Sequence, residues 1–191
     1  QPKFTNFKPE FKEVDILNGL QSVSELKEGH PVLDYVLNRK IPESYHSKLF
    51  LCNKFMAFVN KVKPNTFSHT KGEHPRLIIP FYDADGKVFA FQGRAFGKEQ
   101  PKYLTIKLDE NKQKVYGLET VNLQEHVTIV EGPIDSMFLN NCLAAAGADL
   151  TLRIEPDNIT YIFDNEPRNK EIIKRMYDVV EKDYNLVVWP D

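Results

Sequence analysis

The sequence predicts an α/β protein in which an α+β region is followed by a region built on a parallel sheet. From residue 126 onward, short apolar runs alternate with helical segments, a pattern typical of parallel strands joined by crossover helices. Residues 76–96 instead form two alternating runs around Asp83-Ala84-Asp85-Gly86, which predicts an antiparallel hairpin. These two patterns place the boundary near residue 120 and define regions 1–120 and 121–191.

Length and composition set limits on this prediction. The chain has 191 residues, of which 41% are hydrophobic, enough for one good core or two small ones. No apolar run approaches the ~20 residues that cross a bilayer, and the N-terminus lacks the apolar segment of a signal peptide, so we expect a cytoplasmic protein without a membrane partner. Cys52 and Cys142 are far apart and show no C-x-x-C spacing, so we expect no zinc and no disulfide in this chain.

The charge is divided unevenly along the chain. Residues 1–118 contain 19 Lys and Arg against 13 Asp and Glu, a balance of +6, whereas residues 119–191 contain 6 against 14, a balance of −8. A basic region joined to an acidic one indicates a polyanion bound by the first and cations bound by the second. The alternative is two ordinary solvated surfaces that differ in charge.

The first region is predicted to contain a helix, a hairpin and a further strand. Residues 30–42 have helical spacing of apolar residues and end at a proline. The segment 83–86 is interpreted as the turn of the hairpin rather than as a calcium loop, because apolar runs flank it closely. Residues 102–108 alternate as another strand.

The second region is predicted to contain four strands and two helices. The longer helix has apolar residues at Ile172, Ile173, Met176, Val179 and Val180, the stripe of a helix that lies on a sheet. Such alternation forms a parallel sheet whose ligands gather at the carboxyl ends of the strands. The predicted strands are 126–130, 142–147, 159–163 and 185–190, and the predicted helices are 133–141 and 167–184.

Two pairs of carboxylates stand at such strand ends. Glu131 directly follows the first strand and Asp135 lies one helical turn later, so both can face the same side. Asp164 and Glu166 leave the third strand two residues apart, where an extended chain again points both to one side. The four acids are therefore predicted to converge on one crevice.

Carboxylates packed together repel one another and raise each other's pKa unless cations neutralise them. Mg²⁺ or Mn²⁺, with oxygen ligands and retained water, is the natural solution, and such sites suit phosphoryl transfer. The alternative is that each acid is a helix cap or a solvated charge, the commoner role of an isolated acid. The placement of both pairs at strand ends favours the metal site.

The residues around these acids resemble a known family. VTIVEGPID, followed further along by ITYIFDNE, resembles the Toprim domain, the metal-binding α/β module shared by DnaG-type primases, topoisomerases and some nucleases. Upstream, successive segments resemble the RNA-polymerase core of DnaG-type primases in the expected order, over residues 28–190, and FDNEPRNKE and VVWP resemble the primase subunits of large tailed phages. The upstream segments are HPVLDYVLNRKIP, PRLIIPFYDADGKVFAFQGRAF, PKYLTI and VYGLETV.

The resemblance implies roles for the four acids. It makes Glu131 the first metal-binding acid and Asp135 the second acid of the same motif. It makes Asp164 the leading acid of a D-x-D motif, with Glu166 where a second Asp is usual. The four would bind one or more Mg²⁺ or Mn²⁺ ions, and Glu131, Asp164 and Glu166 would be the catalytic residues.

The resemblance also implies phosphate-binding residues in the basic region. Arg94 corresponds to the arginine of the family's Gly-Arg pair, and Lys102 corresponds to the lysine before Tyr-Leu. Both are expected to face nucleotide phosphates or the template. Lys112 or Lys114 is expected to replace a further family lysine that precedes Tyr-Gly-Leu.

The implied function is that of a nucleotidyltransferase: metal-dependent, template-directed synthesis of short RNA primers from NTPs on single-stranded DNA during replication. A replicative helicase would be the partner of the full-length protein, and a phage-encoded protein would act in the host cytoplasm. Two alternatives remain open. One is a Toprim nuclease, and the other is a non-catalytic nucleic-acid-binding or partner-docking fragment, which a chain end at Asp191, before a further acidic motif of the family, would favour.

Overall fold

The computed structural model describes residues 15–146 and 158–190. Within these ranges the chain forms one antiparallel sheet of five strands and one parallel sheet of four. The predicted class is therefore confirmed: α+β elements come first and a parallel-sheet region follows. No helix in the described part of the chain is both long and apolar enough to cross a membrane.

The antiparallel sheet is built around the predicted hairpin. Its two strands pair along their length from Arg76↔Ala95 to Tyr82↔Val88, and the Asp83 carboxylate caps the turn by accepting hydrogen bonds from backbone N–H groups of the turn. The strands, which are neighbours in this order, are β1 (Gln21–Ser22), β2 (Phe50–Cys52), β3 (Arg76–Tyr82), β4 (Val88–Ala95) and β5 (Tyr103–Lys107).

Two α-helices and two 3₁₀ turns connect this sheet. The first helix, α1 (Pro31–Asn38), starts where the His30 ring accepts a hydrogen bond from the Val32 N–H and proline occupies the first helical position. It ends before the predicted segment does, because Lys40 adopts a positive φ of 56°. The other segments are the 3₁₀ turns Val23–Glu25 and Glu43–Lys48 and the helix α2 (Phe55–Val62).

The parallel-sheet region contains all four predicted strands and both predicted helices, each shorter than predicted. Its strands are β6 (Val127–Val130), β7 (Cys142–Ala144), β8 (Ile159–Ile162) and β9 (Asn185–Leu186), in the order β7-β6-β8-β9. Its helices are α3 (Pro133–Ser136) and α4 (Lys170–Glu181).

Each shortening has a local cause. Beyond Ser136 the backbone changes to i→i+3 hydrogen bonds, such as Leu139 N–H to the Ser136 carbonyl, and the turn ends at Asn141 with a φ of 45°. Beyond β9, the Trp189 indole donates a hydrogen bond to the Phe163 carbonyl at 2.8 Å. This side-chain contact stands where a longer strand would form another backbone hydrogen bond to β8. The last residue of the predicted strand 142–147 lies outside the described residues.

The predicted apolar stripe of α4 is only partly buried. Ile172 and Val179 are buried against the sheet, whereas Val180 is 54% exposed. The inclusion of Val180 in the stripe is therefore wrong, because the helix contacts the sheet along a narrower face than the apolar residues would allow.

One hydrophobic cluster contains residues from both sides of position 120. It joins Leu77 and Phe81 of the antiparallel sheet to Val130 and Ile134 of the parallel-sheet region. The division at residue 120 stays a prediction, and this shared cluster holds the two sheets against each other.

Tyr116 provides a second link between the two sheets. Its backbone exchanges two hydrogen bonds with Ala144 of β7, at 2.9 and 3.0 Å, and its ring packs edge-on against Phe81 of β3. Tyr116, four residues before the predicted boundary, thus contacts both sheets.

Gly93 of β4 is required by close packing between the sheet and α2. A Cβ atom at position 93 would lie 2.3 Å from Cε2 and 2.6 Å from Cζ of the buried Phe55 ring. Buried Arg76 also packs here, since its guanidinium lies over the Phe55 ring and donates to the Gly93 carbonyl at 2.8 Å. The glycine of the Gly-Arg pair therefore has a packing role of its own.

Gly93→Ala should lower the free energy of unfolding by about 1 to 3 kcal/mol, the usual cost of forcing a methyl group into packed space. Urea denaturation measures this change. In a Phe55→Leu background, where the ring is absent, the same substitution should cost less. An equal cost in both backgrounds would contradict the steric explanation.

Candidate active site

An open crevice of about 370 Å³ lies at the carboxyl ends of the parallel strands. Because β6 and β8 pair in register up to Val130↔Ile162, the residues that follow them emerge at the same edge of the sheet. Glu131 follows β6 directly and Asp164 lies two residues beyond β8. All four predicted acids line this crevice: Glu131, Asp135, Asp164 and Glu166.

The antiparallel sheet supplies the facing wall of the crevice. Gln92 of β4 and Tyr103 of β5 both line it. The Gln92 amide nitrogen donates to the Thr105 hydroxyl at 3.2 Å, while its Oε1 atom is buried without a hydrogen-bond partner. The crevice is therefore formed by both sheets, not by the parallel sheet alone.

Glu131 is held at both carboxylate oxygens. Its Oε2 atom accepts a hydrogen bond from the backbone N–H of Asp164 at 3.0 Å. Its Oε1 atom accepts one from Nη1 of Arg175 in α4, also at 3.0 Å. The first acid thus bridges the ends of two neighbouring strands and pairs with a cation.

Asp135 projects from the short helix α3 toward the same crevice. Its Oδ2 atom occupies space that a side chain at position 132 would need, since a Cβ atom on Gly132 would lie 2.4 Å from it. Its Oδ1 atom lies 3.9 Å from Nη2 of Arg39, which follows α1. Glycine at position 132 therefore leaves room for this carboxylate to turn back over the strand end.

Asp164 and Glu166 lie on the segment that leads into α4. Partial burial raises the pKa of the Asp164 carboxyl above its ordinary value, and the neighbouring carboxylates of Glu131, Asp135 and Glu166 raise it further. The Glu166 carboxylate accepts a hydrogen bond from the Asn169 amide at 2.7 Å. Asn169 in turn caps α4 by accepting from the Glu171 N–H, which fixes the helix start beside the acids.

The donor set suits a hard divalent cation, because Mg²⁺ and Mn²⁺ prefer carboxylate oxygens. Within residues 15–146 and 158–190, however, no three Asp, Glu, His or Cys side chains stand close enough together to hold one ion. Two of the four carboxylates are instead paired with arginines. The crevice therefore has the ligands for a metal ion, and side chains must move before several of them can share it.

Arg94 is a buried cation two residues beyond Gln92 on β4, and it does not itself line the crevice. Its side chain leaves the same face of β4 as Gln92, and its guanidinium lies over the Tyr35 ring with 4.0 Å between Cζ and the ring centroid. Its Nε and Nη1 atoms are buried without hydrogen-bond partners, and so is the Tyr35 hydroxyl. A buried N–H group without a partner costs folding free energy, so this guanidinium is suited to donate hydrogen bonds to an anion.

The three predicted lysines lie in different places. Lys102 is exposed beside Tyr103, with its ammonium 5.8 Å from the ring centroid. Lys112 pairs with Asp83 at the hairpin turn and lies over the Phe89 ring, and neither Lys112 nor the half-buried Lys114 lines the crevice. None of the three lines the crevice, although Lys102 precedes the lining residue Tyr103, and their contact with a nucleotide or template stays a prediction.

Two residues beside the acids and Arg94, Arg175 and Tyr35, were not predicted from the sequence as site residues. Arg175 lies three residues after Ile172, on the face of α4 that meets the sheet, so the helical period could have placed it beside the acids. Tyr35 is four residues before Arg39 on α1, which puts both on one face of that helix. Which acid or cation each would contact could not be read from spacing.

No protein-family model matches the chain. The chain is similar to the DNA primase of Enterobacteria phage T4, with 38% identity over 99% of this chain and 56% of that protein. It is also similar to the DNA primase of Clostridium acetobutylicum, with 28% identity over 61% of this chain and 23% of that protein. The chain thus spans about half the length of the first relative and less of the second.

Solved structures resemble the chain as well. The Aquifex aeolicus primase, with its zinc-binding and RNA polymerase domains, matches with a TM-score of 0.64 and 20% identity, covering 89% of this chain and 51% of that one. The RNA polymerase domain of Mycobacterium tuberculosis DnaG matches with a TM-score of 0.63 and 15% identity, covering 88% and 71%. At these identities the likeness shows the fold.

Asp164→Asn should raise the thermal unfolding midpoint at pH 7 in the presence of a chelator, because the charge it removes is partly desolvated and repelled by three carboxylates. A carboxyl whose pKa is raised on folding binds its proton more tightly in the folded state, so its ionisation reduces stability as the pH rises through that pKa. The difference between the variant and the wild type should therefore shrink as the pH falls.

Asp178→Asn, on the exposed side of α4, is the matched control and should leave the midpoint nearly unchanged. A lower midpoint for Asp164→Asn than for the wild type at pH 7 would show that repulsion does not govern this carboxylate.

Proposed function

We propose, from the fold of the DnaG primase catalytic core that this chain has and from its sequence relation to a phage DNA primase, that it synthesises short RNA primers on a single-stranded DNA template. The resemblance found in the sequence is confirmed by both comparisons. The reaction would be a nucleotidyl transfer, in which a primer 3′-hydroxyl attacks an incoming NTP and releases pyrophosphate.

The observation that carries this proposal is the two-sided crevice. Four carboxylates face Gln92 and Tyr103 of the antiparallel sheet, and Arg94 lies on the same face of β4 as Gln92. A nuclease must hold one nucleic-acid substrate beside the acids, whereas a polymerase must hold both a template and an incoming nucleotide there. The basic antiparallel region would supply the additional binding surface.

On the acidic wall, Glu131, Asp135, Asp164 and Glu166 would hold Mg²⁺ or Mn²⁺. A divalent ion bound there supplies activation of the attacking hydroxyl and charge stabilisation on the transferred phosphoryl group. The chain's own contribution is positioning: the Asp164 N–H orients Glu131, and Asn169 orients Glu166.

In the antiparallel sheet, Arg94 would bind a phosphate with its unpaired Nε and Nη1 atoms. Tyr35 would keep the guanidinium plane fixed by stacking, which leaves the edge of the guanidinium for the anion. Exposed Lys102 would add a sequence-independent contact to the template backbone.

The partners follow from this reaction: a single-stranded template, NTPs and, for the whole protein, a replicative helicase, with replication in the cytoplasm of the cell or of a phage host. A solved DnaG primase catalytic domain bound to single-stranded DNA matches this chain with a TM-score of 0.56. That likeness supports a template path across the same fold.

Extension of a pre-annealed primer tests the function. With labelled NTPs, Mn²⁺ or Mg²⁺ and a single-stranded template, the wild type should incorporate label. Asp164→Asn should reduce the rate by about 100-fold or more, because it removes a carboxylate that would hold the ion that stabilises transition-state charge. Asp178→Asn should retain the wild-type rate. Metal-dependent nicking of the template without incorporation would instead identify a nuclease.

Arg94→Ala should raise the apparent KM for NTP by about tenfold or more, because a hydrogen bond to a charged group contributes roughly 1.5 to 3 kcal/mol. Steady-state incorporation on the pre-annealed primer measures this, with circular dichroism to verify folding. Lys61→Ala removes an exposed cation of α2, which packs on the opposite face of β4 from Arg94, and should leave KM unchanged. Equal KM values for Arg94→Ala and the wild type would remove Arg94 from the nucleotide site.

A further inference from the structure

We propose that Arg175 is a positioning residue that serves as an exchangeable counter-ion for Glu131. Its guanidinium holds the carboxylate while no divalent ion occupies the crevice, and it leaves Glu131 when an ion binds. This inference rests on the proposed function and deepens it, because it assigns a part in metal binding to a residue of α4 outside the acidic motifs.

The geometry places Arg175 where it competes for a ligand atom. Glu131 uses Oε2 for the Asp164 N–H and Oε1 for Nη1 of Arg175, each at 3.0 Å. The backbone donor is fixed by the strand end, whereas the arginine side chain can move. An ion that takes Glu131 Oε1 as a ligand would therefore compete with the guanidinium for that atom, whereas the N–H group holds Oε2.

The helix presents Arg175 to the acids and keeps its neighbour away from them. Asn169 fixes the start of α4, and Ile172 and Val179 are buried against the sheet. Arg175 lies between them on that face and lines the crevice, while Lys174 is exposed and does not line it. Two adjacent cations of one helix thus differ in their access to Glu131.

Repulsion among the carboxylates explains why Arg175 pairs with Glu131. Without a divalent ion, the carboxylates of the crevice repel one another, and a guanidinium against Glu131 reduces that repulsion. The side chains of Arg175 and Glu131 are 41% and 21% exposed, so water screens their attraction and the pair is weak enough to exchange. Arg39 makes a looser contact of the same kind with Asp135, at 3.9 Å.

Mn²⁺ titration by calorimetry tests the inference directly. Arg175→Gln removes the competing cation and should bind Mn²⁺ about two- to fivefold more tightly than the wild type, the range expected for a partly exposed ion pair. Lys174→Gln is the matched control, since it removes the same charge from the adjacent residue without touching Glu131. It should change the dissociation constant by less than Arg175→Gln does.

Thermal unfolding supplies a second readout. In chelator, Arg175→Gln should melt below the wild type, because the carboxylates lose their counter-ion, and its melting midpoint should rise more on addition of Mn²⁺. A residue with only a structural role would lower the midpoint equally in both conditions and leave the Mn²⁺-induced rise unchanged.

The outcomes separate this inference from the proposed function. If the wild type binds Mn²⁺ and Arg175→Gln binds it no more tightly than Lys174→Gln, the exchange is wrong while the metal site stands. Weaker binding by Arg175→Gln would mean that the arginine orients Glu131 for the ion instead of competing with it, and it would also overturn the exchange. If the wild type binds no Mn²⁺ at millimolar concentrations, the metal site fails and the counter-ion role fails with it.

Discussion

Repulsion among carboxylates at the end of the parallel sheet is the constraint on which the site depends. In-register pairing of β6 and β8 makes Glu131 and Asp164 emerge together, and α3 and the segment before α4 add one acid each. A backbone N–H group and two arginines, one directly after α1 and one in α4, offset part of the resulting negative charge. Local cations thus make the acidic crevice compatible with a stable fold.

Packing between the sheets determines what faces those acids. The shared hydrophobic cluster and the contacts of Tyr116 with both Ala144 and Phe81 hold the antiparallel sheet against the parallel one. Gln92 and Tyr103 reach the crevice only because of this packing. Small residues such as Gly93 matter for the site indirectly, since the position of β4 depends on the fit between α2 and the sheet.

The sequence predicted the features that have a period or a fixed place on an element. The hairpin, the four parallel strands and the placement of four acids at strand ends all followed from alternation and from the geometry of strand termini. Side-chain partners were not predictable in this way, since Glu131 and Arg175 are 44 residues apart and meet only through the tertiary fold.

Surface lysines were hardest to place. The structure pairs Lys112 with Asp83 of the hairpin turn, a contact that spacing did not predict, and its role toward nucleotide phosphates stays a prediction. The helix α3 and the strand β9 were predicted too long, because apolar residues such as Phe138 and Val188 suit a helix or strand yet lie exposed in turns and at an edge.

The hydrogen bond from the Trp189 indole to the Phe163 carbonyl has a practical consequence. This tryptophan is the single one in the chain, it is 46% exposed, and its acceptor immediately precedes Asp164. A backbone shift at that acid that changes this hydrogen bond would alter the emission of the indole, which depends on its hydrogen bonding and solvation. The protein therefore carries an intrinsic optical probe beside its own crevice, so occupancy can be followed in the unlabelled chain.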